Sequence, residues 1–284
     1  MKMKEKSGCA GKSYKKPVLL AGAALLGAGL FLLAPGPVQR KTAAPFTGKN
    51  FAHRGLHNRA RTVPENSLAA FAAAGEAGYG VELDVQLSKD GQVVVFHDNN
   101  LKRVCGVDKR VCELTYEELG ELRLCQTQEK IPLFSEALKC IRGRGPVIVE
   151  LKTGKNNREL CKKTLSLINQ YKGEVCVESF DPRIVMWFRF HAPRLLRGQL
   201  ACPPEEYGPE DAARPLAFLM GNCLMNFLGR PQFIAYKIGR KPLTVRLAQR
   251  LGALRFCWTS REWVYEKKND SVIFEFYRPG RNFK

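Results

Sequence analysis

Gly80-Val81-Glu82-Leu83-Asp84-Val85-Gln86-Leu87-Ser88-Lys89-Asp90-Gly91-Gln92-Val93-Val94-Val95-Phe96-His97-Asp98 is the stretch on which the fold of this 284-residue chain turns. It holds two β-rich runs, 80–87 and 92–97, with only Ser88-Lys89-Asp90-Gly91 between them. A parallel crossover needs about a dozen residues or more, so the second run must return antiparallel. Asp-Gly is a hairpin signal in its own right. A two-residue turn sets Asp84 opposite His97, and a four-residue turn sets Glu82 there. Either register predicts His97 on the face shared by Glu82 and Asp84, because side chains alternate with period two.

Working outward, further β-rich runs fall at 51–54, 146–151, 175–180, 195–200, 224–228 or 232–236, 254–258 and 271–276. Helical patterns lie between them over Ser67–Gly78, Leu133–Ile141, Arg158–Tyr171, Arg183–Phe190 and Leu243–Leu251, the first capped by Glu65-Asn66-Ser67. Strands alternating with helices call for a parallel sheet. With the returning strand set aside, eight parallel strands remain over residues 50–284, which predicts a (β/α)8 TIM barrel.

In such a barrel one strand face points inward and the other lies under helices, so an outward, solvated face loses ground as a reading of Glu82 and Asp84. Two interior carboxylates are costly unless neutralised. Glu150, ending the run Pro146-Val-Ile-Val149, poses the same problem on another strand. Three carboxylates at neighbouring strand ends make a hard oxygen site suited to one divalent cation, Mg2+ or Ca2+, and not to zinc. His53 follows the first strand and His97 the hairpin. Two imidazoles beside such a site point to general acid/base chemistry, since imidazole titrates near neutral pH. His57 and His191 receive no role. Arg54 and Lys152 are placed either to fork onto a phosphate oxygen or to pair with the carboxylates.

The charge balance is strongly positive, 46 Lys+Arg against 27 Asp+Glu. That favours anionic ligands or surfaces. No zinc-finger or RNA-binding signature is present, so nucleic acid is not the expected partner. Part of the surplus sits in residues 1–16, a basic tail expected in the cytoplasm. It precedes Pro17 to Ala34, an uncharged stretch of 18 residues at the short end of what spans a bilayer core. We read 17–34 as a single transmembrane signal anchor, 35–49 as a linker and the barrel as extracytoplasmic at the cell membrane. A cleaved signal peptide is the competing reading, since it shares the basic and apolar regions. Arg40, Lys41 and Lys49, beyond the span, run against the orientation. The ten cysteines include no C-x-x-C and lie mostly in apolar surroundings, as expected of reduced core residues.

The ordered motifs His53-Arg54-Gly55, Pro64-Glu65-Asn66-Ser67, Glu82-Leu83-Asp84-Val85, His97-Asp98 and Glu150-Leu151-Lys152 resemble the glycerophosphodiester phosphodiesterase family. Leu114-Thr115-Tyr116-Glu117-Glu118-Leu119, Ile131-Pro132-Leu133, Glu178-Ser179-Phe180-Asp181 and Trp258-Thr259 extend the resemblance over roughly 50–280. It implies a barrel of the phospholipase-C-like phosphodiesterase type, with His53 and His97 as acid/base pair and Glu82, Asp84 and Glu150 as ligands of the cation. It further implies Arg54 and Lys152 on the phosphate and Trp258 against the glycerol or headgroup end. The implied reaction releases an alcohol and glycerol 3-phosphate from a glycerophosphodiester by attack of the substrate's own neighbouring hydroxyl. A lysophospholipase D-like activity on intact lipid, or a non-catalytic barrel that binds anionic lipid, are the alternatives. After Trp258-Thr259 the chain departs from the family pattern: Ser260-Arg261 replaces Val-Asn, and Glu275 stands where an Asp is usual.

Overall fold

Eight parallel strands close on themselves in the computed structural model, which describes residues 27–208 and 212–283. In chain order the elements are β1 (Lys49–Ala52), α1 (Leu68–Ala77), β2 (Gly80–Leu87), β3 (Val93–Val95), α2 (Phe134–Ile141), β4 (Val147–Leu151), α3 (Asn157–Gln170) and β5 (Val175–Ser179). There follow α4 (Pro182–His191), β6 (Arg197–Ala201), α5 (Arg214–Gly221), β7 (Phe233–Lys237), α6 (Leu243–Arg250), β8 (Leu254–Ser260) and β9 (Ser271–Phe274). The barrel runs β1-β9-β8-β7-β6-β5-β4-β2 and closes through β1–β2, with β3 antiparallel on the end of β2. This is the TIM barrel expected from the sequence.

Alternation along the strands produces two apolar layers. Val81, Leu83 and Val85 of β2 face outward and pack under α1 and α2 with Phe71, Ala74 and Phe134. Phe51, Ile148, Cys176, Phe233, Phe256 and Ile273 fill the barrel itself. Gly198 belongs to this packing: a Cβ there would lie 2.0 Å from the Phe233 ring, so the absent side chain is what admits the phenyl. No disulfide joins the nine described cysteines, five of which are buried.

The hairpin takes neither register expected of it. Val85 pairs with Val95, Gln86 with Val94 and Leu87 with Val93, which leaves a five-residue loop, Ser88–Gln92. Ser88 makes this loop: its Oγ accepts from Gln92 N (2.9 Å) and donates to Asp90 (2.6 Å), while Gly91 takes φ +75°. One residue of slip reverses the faces. A continued ladder would have turned His97 away from Glu82 and Asp84. Instead β3 stops at Val95, and Gln86 Nε2 holds the departing chain through the carbonyls of Phe96 (2.8 Å) and Asp98 (3.0 Å).

Other boundaries also differ. β1 ends at Ala52, so His53 stands just past it. Of the two candidates for the seventh strand, 233–237 is β7, and Asn226–Gly229 is a helical turn. α5 was not anticipated: in Arg214-Pro-Leu-Ala-Phe-Leu-Met-Gly221 no polar residue follows Arg214 to mark a solvent face.

The basic tail and residues 17–26 of the proposed span lie outside the described residues. Residues 27–33 are helical, and no helix among the described residues is long and apolar enough to cross a membrane. The end of this segment is built onto the barrel. Leu33 is buried against Ala201, Ile234 and Tyr236, and Arg230 donates to the carbonyls of Phe31 (2.7 Å) and Ala34 (2.9 Å). Residues 35–49 are likewise in contact with it. Phe46, 1% exposed, stacks on Phe51 with centroids 6.3 Å apart, and its carbonyl accepts from Ser271 Oγ. Phe46→Ala is expected to cost about 3 kcal/mol by urea unfolding; a loss below about 0.5 kcal/mol, the scale of a surface change, would show that this stretch is not part of the core.

Candidate active site

The inner face of β2 carries Glu82 and Asp84, that of β4 Glu150 and that of β5 Glu178. Register aligns them: Asp84 pairs with Glu150, and Glu150 with Glu178. Ligand oxygens of Glu82, Asp84 and Glu150 all lie within 4.8 Å of one another, and all three residues are buried. Their charges conflict. Burial, then Asp84 and Glu150, pushes the Glu82 carboxyl well above the usual range. Glu150 is raised too, by burial and by Asp84, although Lys152 counteracts. Burial also opposes ionisation of Asp84, but His97, Lys152, Arg54 and a hydrogen bond from Asn66 hold it below its ordinary value. Asp84 Oδ1 is buried without a hydrogen-bond partner. A compact set of hard oxygens, two of them disfavoured as anions, is the donor chemistry that a divalent cation such as Mg2+ or Ca2+ satisfies.

Each histidine is backed by a carboxylate, and each carboxylate by an arginine. His53 Nδ1 lies 3.1 Å from Glu275 Oε2, and Glu275 Oε1 accepts from Arg261 at 2.6 and 3.0 Å. His97 Nδ1 lies 2.6 Å from Asp98 Oδ1, and Asp98 Oδ2 accepts from Arg103 at 2.6 Å. Engaging Nδ1 in this way fixes the ring and leaves Nε2 as the free edge. Burial, reinforced by Arg54, lowers His53 to about 4 although Glu275 works against it, so this imidazole is neutral at pH 7.

Both cations of the site pair with carboxylates. Lys152 Nζ is 2.7 Å from Glu150 and 3.5 Å from Asp84. Arg54 donates to Glu65 at 2.7 Å, with its Nε 3.7 Å from Asp84, while its backbone N–H donates to Glu82 at 2.9 Å. The turn that presents it is tight: Arg54 has φ +53°, and Gly55 has φ +79° with no room for a Cβ, which would meet Ala70 at 2.8 Å. Trp258 on β8 donates Nε1–H to the Ala235 carbonyl (3.0 Å) and meets Phe180 edge-on at 5.7 Å.

One cavity of about 570 Å³, at the C-terminal strand ends where barrel enzymes carry their sites, touches His53, Arg54, Glu82, His97, Glu150, Lys152 and Trp258. Asp84 lies beneath it. All eight residues singled out from the sequence thus converge. Glu275, Arg261, Asp98, Arg103, Asn66 and Gln86, which position them, received no such role from the sequence. Asp98 and Asn66 stood within the quoted motifs and Arg261 and Glu275 among the departures from the family pattern, while Arg103 and Gln86 carried no signal. Glu178 also lines the cavity, with its carboxyl raised well above the usual range by burial and by Glu82, Glu150 and Asp84.

Residues 53–275 match the Glycerophosphoryl diester phosphodiesterase family. A lysophospholipase D of Homo sapiens is 36% identical over 166 residues, 54% of this chain and 51% of its own length. A glycerophosphodiester phosphodiesterase of Caldanaerobacter subterraneus is 34% identical over 160 residues, 52% of this chain and 65% of its own. The match therefore spans about half the length of the first of these relatives and just under two thirds of the second. Among solved structures, a glycerophosphodiester phosphodiesterase of Thermotoga maritima has 28% identity and a TM-score of 0.58, covering 79% of this chain and 93% of its own. An Oleispira antarctica phosphodiesterase in complex with the product sn-glycerol-3-phosphate shares the fold, with a TM-score of 0.65 at 24% identity over 82% of this chain and 94% of its own. With the matched region running from His53 to Glu275, the two ends of one hydrogen bond, the chain belongs to the glycerophosphoryl diester phosphodiesterase family.

Proposed function

We propose that the protein hydrolyses glycerophosphodiesters to an alcohol and glycerol 3-phosphate. The observation that carries this reading is two histidines, each backed by a carboxylate, sharing one cavity with a lysine, an arginine and Glu82 and Glu150, which cluster with Asp84. The name of the Caldanaerobacter subterraneus relative agrees with it, while that of the Homo sapiens relative fits the alternative, a lysophospholipase D-like activity. Glu82, Asp84 and Glu150 are the residues that would hold one Mg2+ or Ca2+. Such a cation, when bound, supplies charge compensation to the phosphoryl oxygens. Arg54 and Lys152 hold phosphate oxygens from the cavity wall, and Trp258 packs against the glycerol or headgroup end.

His53, neutral at pH 7, takes the proton from the glycerol hydroxyl next to the ester as that oxygen attacks phosphorus. His97 gives a proton to the departing alcohol oxygen. Water then opens the cyclic phosphate with the two roles reversed, which restores both histidines. We also place the reaction at a membrane face, on the strength of the lysines before Val18–Ala34 alone; sedimentation of the full chain with membranes tests this, and recovery in the supernatant speaks against it. The reaction is tested by assaying glycerophosphocholine and glycerophosphoethanolamine with Mg2+ or Ca2+. Release of choline or ethanolamine is expected, and silence toward every glycerophosphodiester would rule the reading out.

Glu275 provides a pH test. Glu275 raises the His53 pKa, and His53 acts as a base only when neutral, so activity is kept above about 4 and lost below it. Removing the charge in Glu275→Gln lowers that pKa further and moves the acid limb of kcat/KM to lower pH. The ring also loses its orienting partner, so kcat falls by about 10- to 100-fold. An unchanged limb and rate would deny Glu275 this part.

A further inference from the structure

His53 lines the cavity, but His57 and Glu275 do not, and they stand together behind its ring. The tight turn after β1 brings His57 back beside Glu275, which the pairing of β9 with β1 has already carried to His53. One ligand atom from each of His53, His57 and Glu275 lies within 4.8 Å of the other two. His53 Nδ1 is 3.1 Å from Glu275 Oε2, and His57 Nε2 is 3.7 Å from the same oxygen. Ligands of a tetrahedral zinc ion, with bonds of about 2.0–2.2 Å, stand about 3.4 Å apart. The two separations bracket that value.

His57 supplies a second, independent observation. Its side chain is 8% exposed, yet its Nε2 is buried without a hydrogen-bond partner. A buried polar atom left unpaired is costly, and one aimed at a carboxylate and a second imidazole is a ligand in waiting. Glu275 is 9% exposed and gives Oε1 to Arg261, which leaves Oε2 facing both rings. Two imidazole nitrogens, one carboxylate oxygen and an open fourth position suit zinc. The hard oxygens of Glu82, Asp84 and Glu150 suit Mg2+ or Ca2+ instead.

We propose that His53, His57 and Glu275 form a zinc site, and that Zn2+ bound there switches off the hydrolysis. The site stands on its own geometry, while the inhibition rests on the reaction above. For His53 to act as base at Nε2, its one proton sits on Nδ1, toward Glu275. Zinc bonds to an unprotonated Nδ1, so that proton moves to Nε2. Such a ring cannot take the proton of the glycerol hydroxyl, and attack on phosphorus stops. Because the ion lies behind the ring, neither substrate nor Mg2+ competes with it.

The test uses the full chain with saturating Mg2+ or Ca2+ and glycerophosphocholine. Saturating Zn2+ is expected to lower wild-type turnover about a hundredfold or more, the range set by a positioned base. Further Mg2+ or Ca2+ is expected not to restore it. His57→Gln is expected to keep basal turnover within about twofold, having no contact with the reacting atoms. It is expected to need about tenfold or more Zn2+ for equal inhibition, since losing even a metal's supporting groups costs that much. Co2+ added beside Mg2+ reports the site without turnover. Wild type is expected to show the d–d bands of a four-coordinate ion without the thiolate charge-transfer band that cysteine ligands give, and His57→Gln to lose those bands. Equal inhibition of both proteins, relief by Mg2+ or Ca2+, or Co2+ spectra unchanged by His57→Gln would overturn the site. Silence toward glycerophosphocholine sinks the reaction, and the Co2+ spectra then decide the site alone. Should His57→Gln fail to fold, the ring ¹⁵N shifts of wild type under Zn2+ decide. His53 and His57 are expected to move while His97 and His191 stay, and shifts confined to the latter pair would overturn the site.

Discussion

His53→Ala is expected to lower kcat on glycerophosphocholine about a thousandfold, within the range of roughly 10²- to 10⁴-fold that a positioned acid or base contributes. The fold should not suffer. The ring stands beyond the end of β1, and what it loses is the bond to Glu275, which keeps Arg261 as partner. His97→Ala is expected to be as damaging with choline as leaving group, because a choline alkoxide does not depart without a proton. The two variants part company on a nitrophenyl ester of glycerol phosphate, whose phenolate leaves unaided. His97→Ala should recover most of its rate there, and His53→Ala should not, since the attacking hydroxyl still has to lose its proton. Steady-state kinetics on both substrates checks this, and recovery in the opposite variant would exchange the two roles.

Removing divalent cations with EDTA is expected to abolish turnover, and Mg2+ or Ca2+ to restore it. Glu82→Gln and Glu150→Gln should show comparable losses that excess cation does not repair. Glu82 and Glu150 are raised in the folded protein, so without a cation they stabilise the fold at pH values below the ordinary carboxylate range, and that contribution is lost as pH rises through their raised values. A bound cation requires both deprotonated. The rise in Tm on adding it should therefore be larger near neutral pH than in acid, on the order of that expected for any ligand bound only by the folded chain. Differential scanning calorimetry at two pH values measures this. A rise in Tm that shrinks toward neutral pH would contradict the assignment of these carboxylates, and full activity in excess chelator would remove the cation from the mechanism.

The candidate site was legible in the sequence because it rests on residues that are improbable where they stand. Glu82, Asp84 and Glu150 interrupt apolar strands, and under the helices of a barrel an outward, solvated face loses ground as a reading of them. The eight-strand count followed from run lengths and from one connection too short to cross over. The hairpin register was not legible. It was decided by Ser88, whose hydroxyl closes a five-residue loop, and the sequence shows only the Asp-Gly pair. His97 reaches the cavity because Gln86 catches the chain as it leaves β3, a side-chain contact across the hairpin that no spacing announces. The same is true of Glu275: it stands 222 residues from His53 and is brought alongside by β9 pairing parallel with β1. The two departures noted from the family pattern, Arg261 and Glu275, turn out to be partners in one ion pair. α5 escaped notice because no polar residue follows Arg214 to mark a solvent face.

The central claim is tested most directly by ³¹P NMR of glycerophosphocholine incubated with the full chain and Mg2+ or Ca2+. The account predicts that the phosphodiester resonance gives way to that of glycerol 3-phosphate, and that it stays unchanged with His53→Ala. A diester signal that persists with folded, cation-supplied wild type, or that disappears equally fast with His53→Ala, would contradict it.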